Sequence, residues 1–352
     1  MFERILERYD ISTAANIQPF GSGLINSTWK ISDGPKDYIL QKINNDVFKN
    51  PWLIAANIET ISGYLRDNHP AYFFVSPLKT APGENMVFIE ESGYYRLFPF
   101  VENSITLQVA KTPASAFEAA RQFALFTKNL SGLPIATLRT TLPDFHNLKF
   151  RYEEFLKAVK SGNAERINKS KSLIDFLISH SHIVGTYEKI TASEQFKKRV
   201  THHDTKISNI LFDENGKALC VIDLDTVMPG YFISDIGDML RTYVSPVSEE
   251  EKDFSKIEVR EDYFRGIVDG YMSEMAGELT KEEKQHFVYA GFFLVYMQAL
   301  RFLADYLNND RYYGSAYEGQ NFIRATNQVV LLKHFIGKQE VLGKIVEEVI
   351  KS

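Results

Sequence analysis

The chain has 352 residues, 44% of them hydrophobic and 24% charged, with a formal net charge of −5 at pH 7. That length suits two domains or one large one with a sizeable core, and excludes a disordered tail, a collagen-like repeat or a small disulfide scaffold. The negative balance argues against a nucleic-acid partner, and the single cysteine, Cys220, cannot form an intrachain disulfide. The first residues, MFERILERYD, lack the apolar stretch of a secretory signal. The longest apolar run, Phe287 to Met297, is too short to span a bilayer, so no membrane partner and a cytoplasmic location are expected.

In chain order, Ile17 to Ile31 reads as a hairpin around the glycine turn Gly21-Ser22-Gly23. Tyr38 to Ile43 follows the turn Asp33-Gly34-Pro35 and reads as a third strand. Pro51 opens a helix in which Leu53, Ile54, Ile58, Ile61 and Leu65 keep helical spacing. Strands are expected at Tyr72–Val75 and Met86–Ile89, and another at Tyr94–Val101, broken by Pro99. After Asn103 the pattern becomes helical, over Ser115–Leu130, Leu148–Lys160, Lys169–Ser179, Arg260–Met275 and Lys281–Leu307. Strand signals persist at Asn209–Asp213 and Ala218–Leu224, joined by the turn Glu214-Asn215-Gly216. The change in texture near residue 100 sets the expected boundary, giving domains 1–100 and 101–352.

The strongest chemical signal is Thr201-His202-His203-Asp204-Thr205-Lys206-Ile207-Ser208-Asn209, followed 14 residues after Asn209 by Asp223 in Val221-Ile222-Asp223-Leu224-Asp225. The order H-x-D-x-x-x-x-N, short hairpin, apolar-flanked Asp matches a kinase catalytic loop and metal-binding loop. Phosphoryl transfer needs a carboxylate beside the attacking hydroxyl and oxygen ligands for a metal on the nucleotide phosphates. Magnesium takes hard oxygen donors, which fits a cluster without cysteine. Adjacent His202, His203 and Asp204 also invite a transition-metal reading, but neighbouring residues rarely present ligands to one ion.

With these motifs, the chain resembles the aminoglycoside phosphotransferase and choline kinase superfamily over essentially its whole length. The stretches His203–Lys206, Val221–Gly230 and Arg301–Leu307 with Tyr312-Tyr313 most resemble the N-acetylhexosamine 1-kinases. The resemblance implies an α+β, protein-kinase-like two-lobed fold, with an antiparallel-sheet N-lobe (1–100) and a helical C-lobe (101–352). It implies ATP and Mg2+ as cofactors. It casts Asp204 as catalytic base with His202 bracing the loop, and Asn209 and Asp223 as metal ligands. Gly21, Ser22 and Gly23 sit where a phosphate-covering loop belongs, and Phe98–Glu102 where adenine meets a connector.

A phosphate-binding cation is expected on the third strand. Gln41 and Lys42 point to opposite faces there, and the charge favours Lys42, with Glu59 as its ion-pair partner. By the same resemblance Asp235 holds the catalytic loop. Asp225 replaces the glycine of protein kinases and is assigned to substrate hydroxyls, together with Arg301 as a donor and Tyr312 as a ring face. The expected substrate is a small sugar, N-acetylglucosamine or N-acetylgalactosamine, phosphorylated at the anomeric hydroxyl. A kinase of an aminoglycoside, choline-like or homoserine-like acceptor is the alternative. A nucleotide-binding pseudokinase is a third reading, and intact Asp204, Asn209 and Asp223 argue against it.

Overall fold

Five strands form an antiparallel sheet at the N-terminal end: β1 (Asn16–Pro19), β2 (Ser27–Asp33), β3 (Lys36–Lys42), β4 (Val87–Ile89) and β5 (Gly93–Pro99). Their spatial order is β1-β2-β3-β5-β4. The computed structural model describes residues 1–21 and 25–351. Gly34 takes a φ of +59° between Asp33 and Lys36, the positive value that a two-residue hairpin loop requires of its first residue. Alternation then divides the strands into two faces. Leu40 lies opposite Leu97, and with Ile31, Val87, Ile89 and Tyr95 these residues pack on Ile5 and Leu6 of helix α1 (Phe2–Glu7). Gln41 lies opposite Arg96 and so belongs to the other face.

Helix α2 (Pro51–Asn68) starts with proline in its first turn, where the missing N–H costs nothing. The expected strand at Tyr72–Val75 does not form: Tyr72 N–H closes a turn on the His69 carbonyl instead. The remaining elements are α3 (Pro113–Asn129), α4 (Leu148–Ser161), α5 (Ala164–Lys169), α6 (Lys171–Ser179), α7 (His182–Ala192), β6 (Arg199–Thr201), β7 (Ile210–Phe212), β8 (Ala218–Val221) and β9 (Met228–Gly230). They are followed by α8 (Phe232–Tyr243), α9 (Glu261–Met275), α10 (Lys281–Lys284), α11 (Phe287–Leu307), α12 (Gln320–Gly337) and α13 (Gln339–Lys351). The helix expected over Lys169–Ser179 divides at Ser170, and that over Lys281–Leu307 divides after Lys284.

This is the expected α+β arrangement, a small antiparallel sheet followed by a helical part. The chain divides into two compact units whose limits are not those of a single cut near residue 100. One comprises Met1–Ile105 with Asn129–Pro143 and Leu211–Pro229; the other comprises Thr106–Lys128, Asp144–Ile210 and Gly230–Ser352. Helix α11 organises the helical unit, packing against α12, α8 and α4. Among the described residues it alone is long and apolar enough to cross a membrane, yet most of it is buried within the protein, as a core helix is.

Candidate active site

In the helical unit, β6 leads straight into the loop carrying Asp204. Its first residue, Arg199, is tied to the fully buried Glu283 by bonds of 2.6 and 2.9 Å. Glu283 also closes a capping box with Thr280 at the start of α10. The loop is gripped from the other side by Asp235 in the first turn of α8. One Asp235 oxygen accepts the His203 N–H at 2.7 Å and the other the His202 N–H at 3.1 Å. The Thr205 hydroxyl donates to the Asp235 carbonyl at 2.8 Å, and the Tyr243 hydroxyl donates to the Thr205 carbonyl. Burial pushes the Asp235 carboxyl up to about 7 against the pull of those two amides, and the nearby Asp238 charge adds to the rise.

His202 is fully buried, edge-on to Phe123, and its Nδ1 accepts the Asp204 N–H at 3.4 Å. Asp204 is half-buried. Its Oδ2 accepts from Asn209 Nδ2 at 3.0 Å and pairs with Lys206 at 3.2 Å. Asn209 Nδ2 also donates to the Asp204 carbonyl at 2.8 Å. With its amide nitrogen so committed, Asn209 keeps an oxygen to offer a cation, the hard donor that magnesium takes.

His203 has a φ of +67°, which turns its ring away from that of His202 and towards His146, with the two Nδ1 atoms 3.4 Å apart. Gly230 is required beneath it, because a Cβ there would lie 2.4 Å from the His203 ring. Burial and the cationic surroundings of His146, Arg301 among them, hold its imidazole well below the usual histidine range. His146 stacks on Phe145, with ring centroids 4.4 Å apart. Arg301 lies over Phe145 at 5.5 Å and over Tyr313 at 5.4 Å, and it donates to the Tyr312 hydroxyl at 3.4 Å and to Gln298 at 3.1 Å. The helical i,i+4 pair with Asp305 does not form, since Asp305 instead accepts the N–H groups of Tyr312 and Tyr313 at 2.7 and 2.9 Å. A continuous set of contacts thus runs from His203, beside Asp204, through His146 and Phe145 to Arg301 and Tyr312.

The sheet unit carries the metal-loop candidate. Asp223, two residues past β8, lies in the left-handed region, with a φ of +59°, and is exposed beside the buried Leu224. A carboxylate presented there suits a hard cation, as does the amide oxygen of Asn209. Two residues on, Asp225 is only 2% exposed. Its Oδ1 pairs with Arg96 Nη2 at 2.5 Å and its Oδ2 accepts from Asn26 Nδ2 at 2.7 Å. The carboxylate expected to meet substrate hydroxyls is therefore committed inside the protein. Arg96 also donates to Gln41 from Nε and Nη2, at 3.2 and 3.0 Å.

Lys42, one residue on from Gln41, shares the face of Leu40 and Tyr95, and borders a hollow with Ser27, Asn44, Asn45 and Asp46. Glu59 pairs with Lys79 at 2.6 Å and accepts from Asn85 at 2.9 Å, which corrects its expected pairing with Lys42. Gly21 has a φ of +76°; Ser22 and Gly23 lie outside the described residues. Sequence reasoning missed Arg96 and Asn26; Phe145, His146 and Tyr313 were visible in it but were given no place in the expected site. A buried arginine beside a strand glutamine leaves no motif, although Phe145-His146 was a visible aromatic pair.

Residues 16–271 match the APH family, described as "Phosphotransferase enzyme family". The chain belongs to this family. Its fold is shared by several solved structures. The microcompartment-associated aminopropanol kinase is 16% identical with a TM-score of 0.67, covering 97% of this chain and 98% of that one. An aminoglycoside phosphotransferase from Alicyclobacillus acidocaldarius is 12% identical with a TM-score of 0.66, covering 98% and 96%. The Plasmodium vivax ethanolamine kinase is 15% identical with a TM-score of 0.59, covering 93% and 85%.

Proposed function

We propose that the protein is an ATP-dependent small-molecule kinase acting on a neutral, hydroxyl-rich acceptor, with the anomeric hydroxyl of an N-acetylhexosamine as the favoured target. In this reading the acceptor oxygen attacks the γ-phosphorus as its proton passes to the Asp204 carboxylate. The bond to the β,γ-bridging oxygen breaks and ADP leaves with the electron pair. Lys206 and Asn209 orient the Asp204 carboxylate, and Asp235 holds the loop that carries it. Magnesium, when bound, would screen the charge on the phosphate oxygens, and Asn209 and Asp223 each carry the hard oxygen donor it takes.

The observation that carries the acceptor reading is the contact path from His203 to Arg301, which puts a guanidinium and the rings of Phe145 and Tyr312 on the catalytic-loop side of the helical unit. Donors beside aromatic faces suit sugar hydroxyls and an N-acetyl carbonyl. Amino-alcohol kinases share the fold, but a cationic acceptor calls for carboxylates where this chain presents Arg301.

An ATP-consumption screen over hexosamines and amino alcohols tests the reading, with phosphorus NMR of the product. The expected product shows phosphorus coupled to an anomeric proton. Arg301→Ala should cost about 1–3 kcal/mol in acceptor kcat/KM, with little change in the ATP KM. Turnover confined to aminopropanol-, choline- or kanamycin-like cations would overturn the sugar and leave the phosphotransferase standing.

A further inference from the structure

The sheet unit contains a buried cation that the kinase pattern does not anticipate. Arg96 is 1% exposed, and it shares the sheet face of Gln41, the residue beside the lysine singled out from sequence. Gln41 accepts from both its Nε and its Nη2, Asp225 forms an ion pair with Nη2, and the Phe98 ring lies 5.1 Å from its guanidinium carbon. Nη1 is buried and has no hydrogen-bond partner among the described residues. A fully desolvated guanidinium normally has all of its donors satisfied, so an orphan on one prong marks a place for an acceptor that arrives from outside.

Its surroundings say what that acceptor is. Asp225 lies two residues past Asp223, the carboxylate assigned to metal-bound phosphates. Asn26, which bonds Asp225, lies three residues past the glycine turn and also accepts the Asn44 N–H at 3.0 Å. The guanidinium is thus paired with a carboxylate of the segment that the kinase pattern turns toward nucleotide phosphates. Lys42 lies on the opposite sheet face.

We infer that Arg96, reaching across from β5, supplies the phosphate-binding cation that protein kinases take from the third strand, with Nη1 donating to a nucleotide phosphate oxygen and Asp225 and Gln41 fixing its fork. The inference rests on the kinase reading and names the residue that serves its phosphate subsite. The Asp225 pair explains why an arginine suits the position: a planar fork can keep two donors on its clamp and present the third, whereas a lysine offers a point charge.

The test is the ratio of ADP to adenosine affinity, measured by calorimetry in EDTA so that neither metal nor acceptor enters. Removing Arg96 alone would strand Asp225, so the variant is Arg96→Met with Asp225→Asn. Adenosine affinity should persist while ADP affinity falls about tenfold or more, the scale of a lost charge-assisted hydrogen bond. An unchanged ratio in the folded double variant overturns the inference, as does a ratio that falls in Lys42→Ala and not in the double variant. A second measurement leaves the wild-type protein intact. With 15N-arginine labelling, the Arg96 Nε–H resonance, assigned by its loss in Arg96→Lys, should shift with ADP and not with adenosine. If it stays in place with ADP, the inference fails. A parent protein that binds no adenine nucleotide and turns over no ATP would instead remove the kinase reading beneath it.

Discussion

At the scale of single residues the most consequential carboxylate is not Asp204 but Asp235, which holds the loop through two backbone amides while buried to 1% exposure. Its carboxyl is pushed up to about 7 because burial penalises the charge more than the two N–H groups repay. The sign follows from linkage. The folded protein binds this proton more tightly than the unfolded chain, so the Asp235 contribution to stability is fully present below the unfolded value, near 3.8, and is lost as pH rises through about 7. Asp235→Asn has one acceptor for two amides and turns an NH2 toward the other. It should destabilise by about 1–3 kcal/mol. Because the amide cannot titrate, the parent's advantage over the variant should be larger at pH 5 than at pH 8, with a slope approaching about 1.4 kcal/mol per pH unit between the two pKa values. Urea unfolding of both proteins at the two pH values reads this directly. Parallel pH dependence would mean that Asp235 does not titrate in this window.

At the scale of elements, α2 is anchored by a polar group rather than by its apolar stripe alone. Asn57 is 1% exposed, donates to the Arg139 and Val227 carbonyls at 2.8 and 2.9 Å, and accepts the Arg139 N–H at 2.7 Å. Asn57→Ala would leave three backbone groups without their partner, at about 1–3 kcal/mol. Hydrogen exchange should quicken at Arg139 and around residues 224–227 before it does in the sheet, and unchanged exchange there would mean that water replaces the amide at no cost. The spacing of Ile54, Ile58, Ile61 and Leu65 makes α2 legible, and the alternation of β3 and the glycine turns make the hairpins so. The segment Tyr72–Val75 misleads because β-forming side chains do not create a neighbouring edge. The face of Lys42 misleads for a related reason. Alternation says that Gln41 and Lys42 differ, but only the cross-strand partners, Arg96 and Tyr95, say which is which. The catalytic loop is legible because its chemistry demands a short local pattern. Asp225 with Arg96, and Arg301 with Phe145, join residues far apart in the chain, and no periodicity records such pairs.

At the scale of the whole molecule, a boundary drawn at the change of texture near residue 100 would separate groups that the fold makes inseparable. The sheet unit needs residues 129–143 and 211–229 as well as its first 105. Arg96 would lose Asp225, and Asn57 would lose both Arg139 and Val227. The backbone bridge between Ile105 and Phe212, with N–H···O distances of 2.9 and 2.8 Å, would open. Stranding a buried charge costs about 3–5 kcal/mol, and the Asn57 bonds add about 1–3 kcal/mol. A domain has only about 5–15 kcal/mol in all. Residues 1–105 expressed alone should therefore show no cooperative thermal transition and a collapsed amide NMR spectrum, although every strand of the five-stranded sheet is present. Arg96→Met in the same fragment removes the stranded charge and should recover part of the lost stability, which separates the ion pair from the other missing contacts. A sharp transition and well-dispersed amides in the unmodified fragment would show that the sheet and α2 are self-sufficient, and that the Asp225 clamp contributes to the site without contributing to the fold.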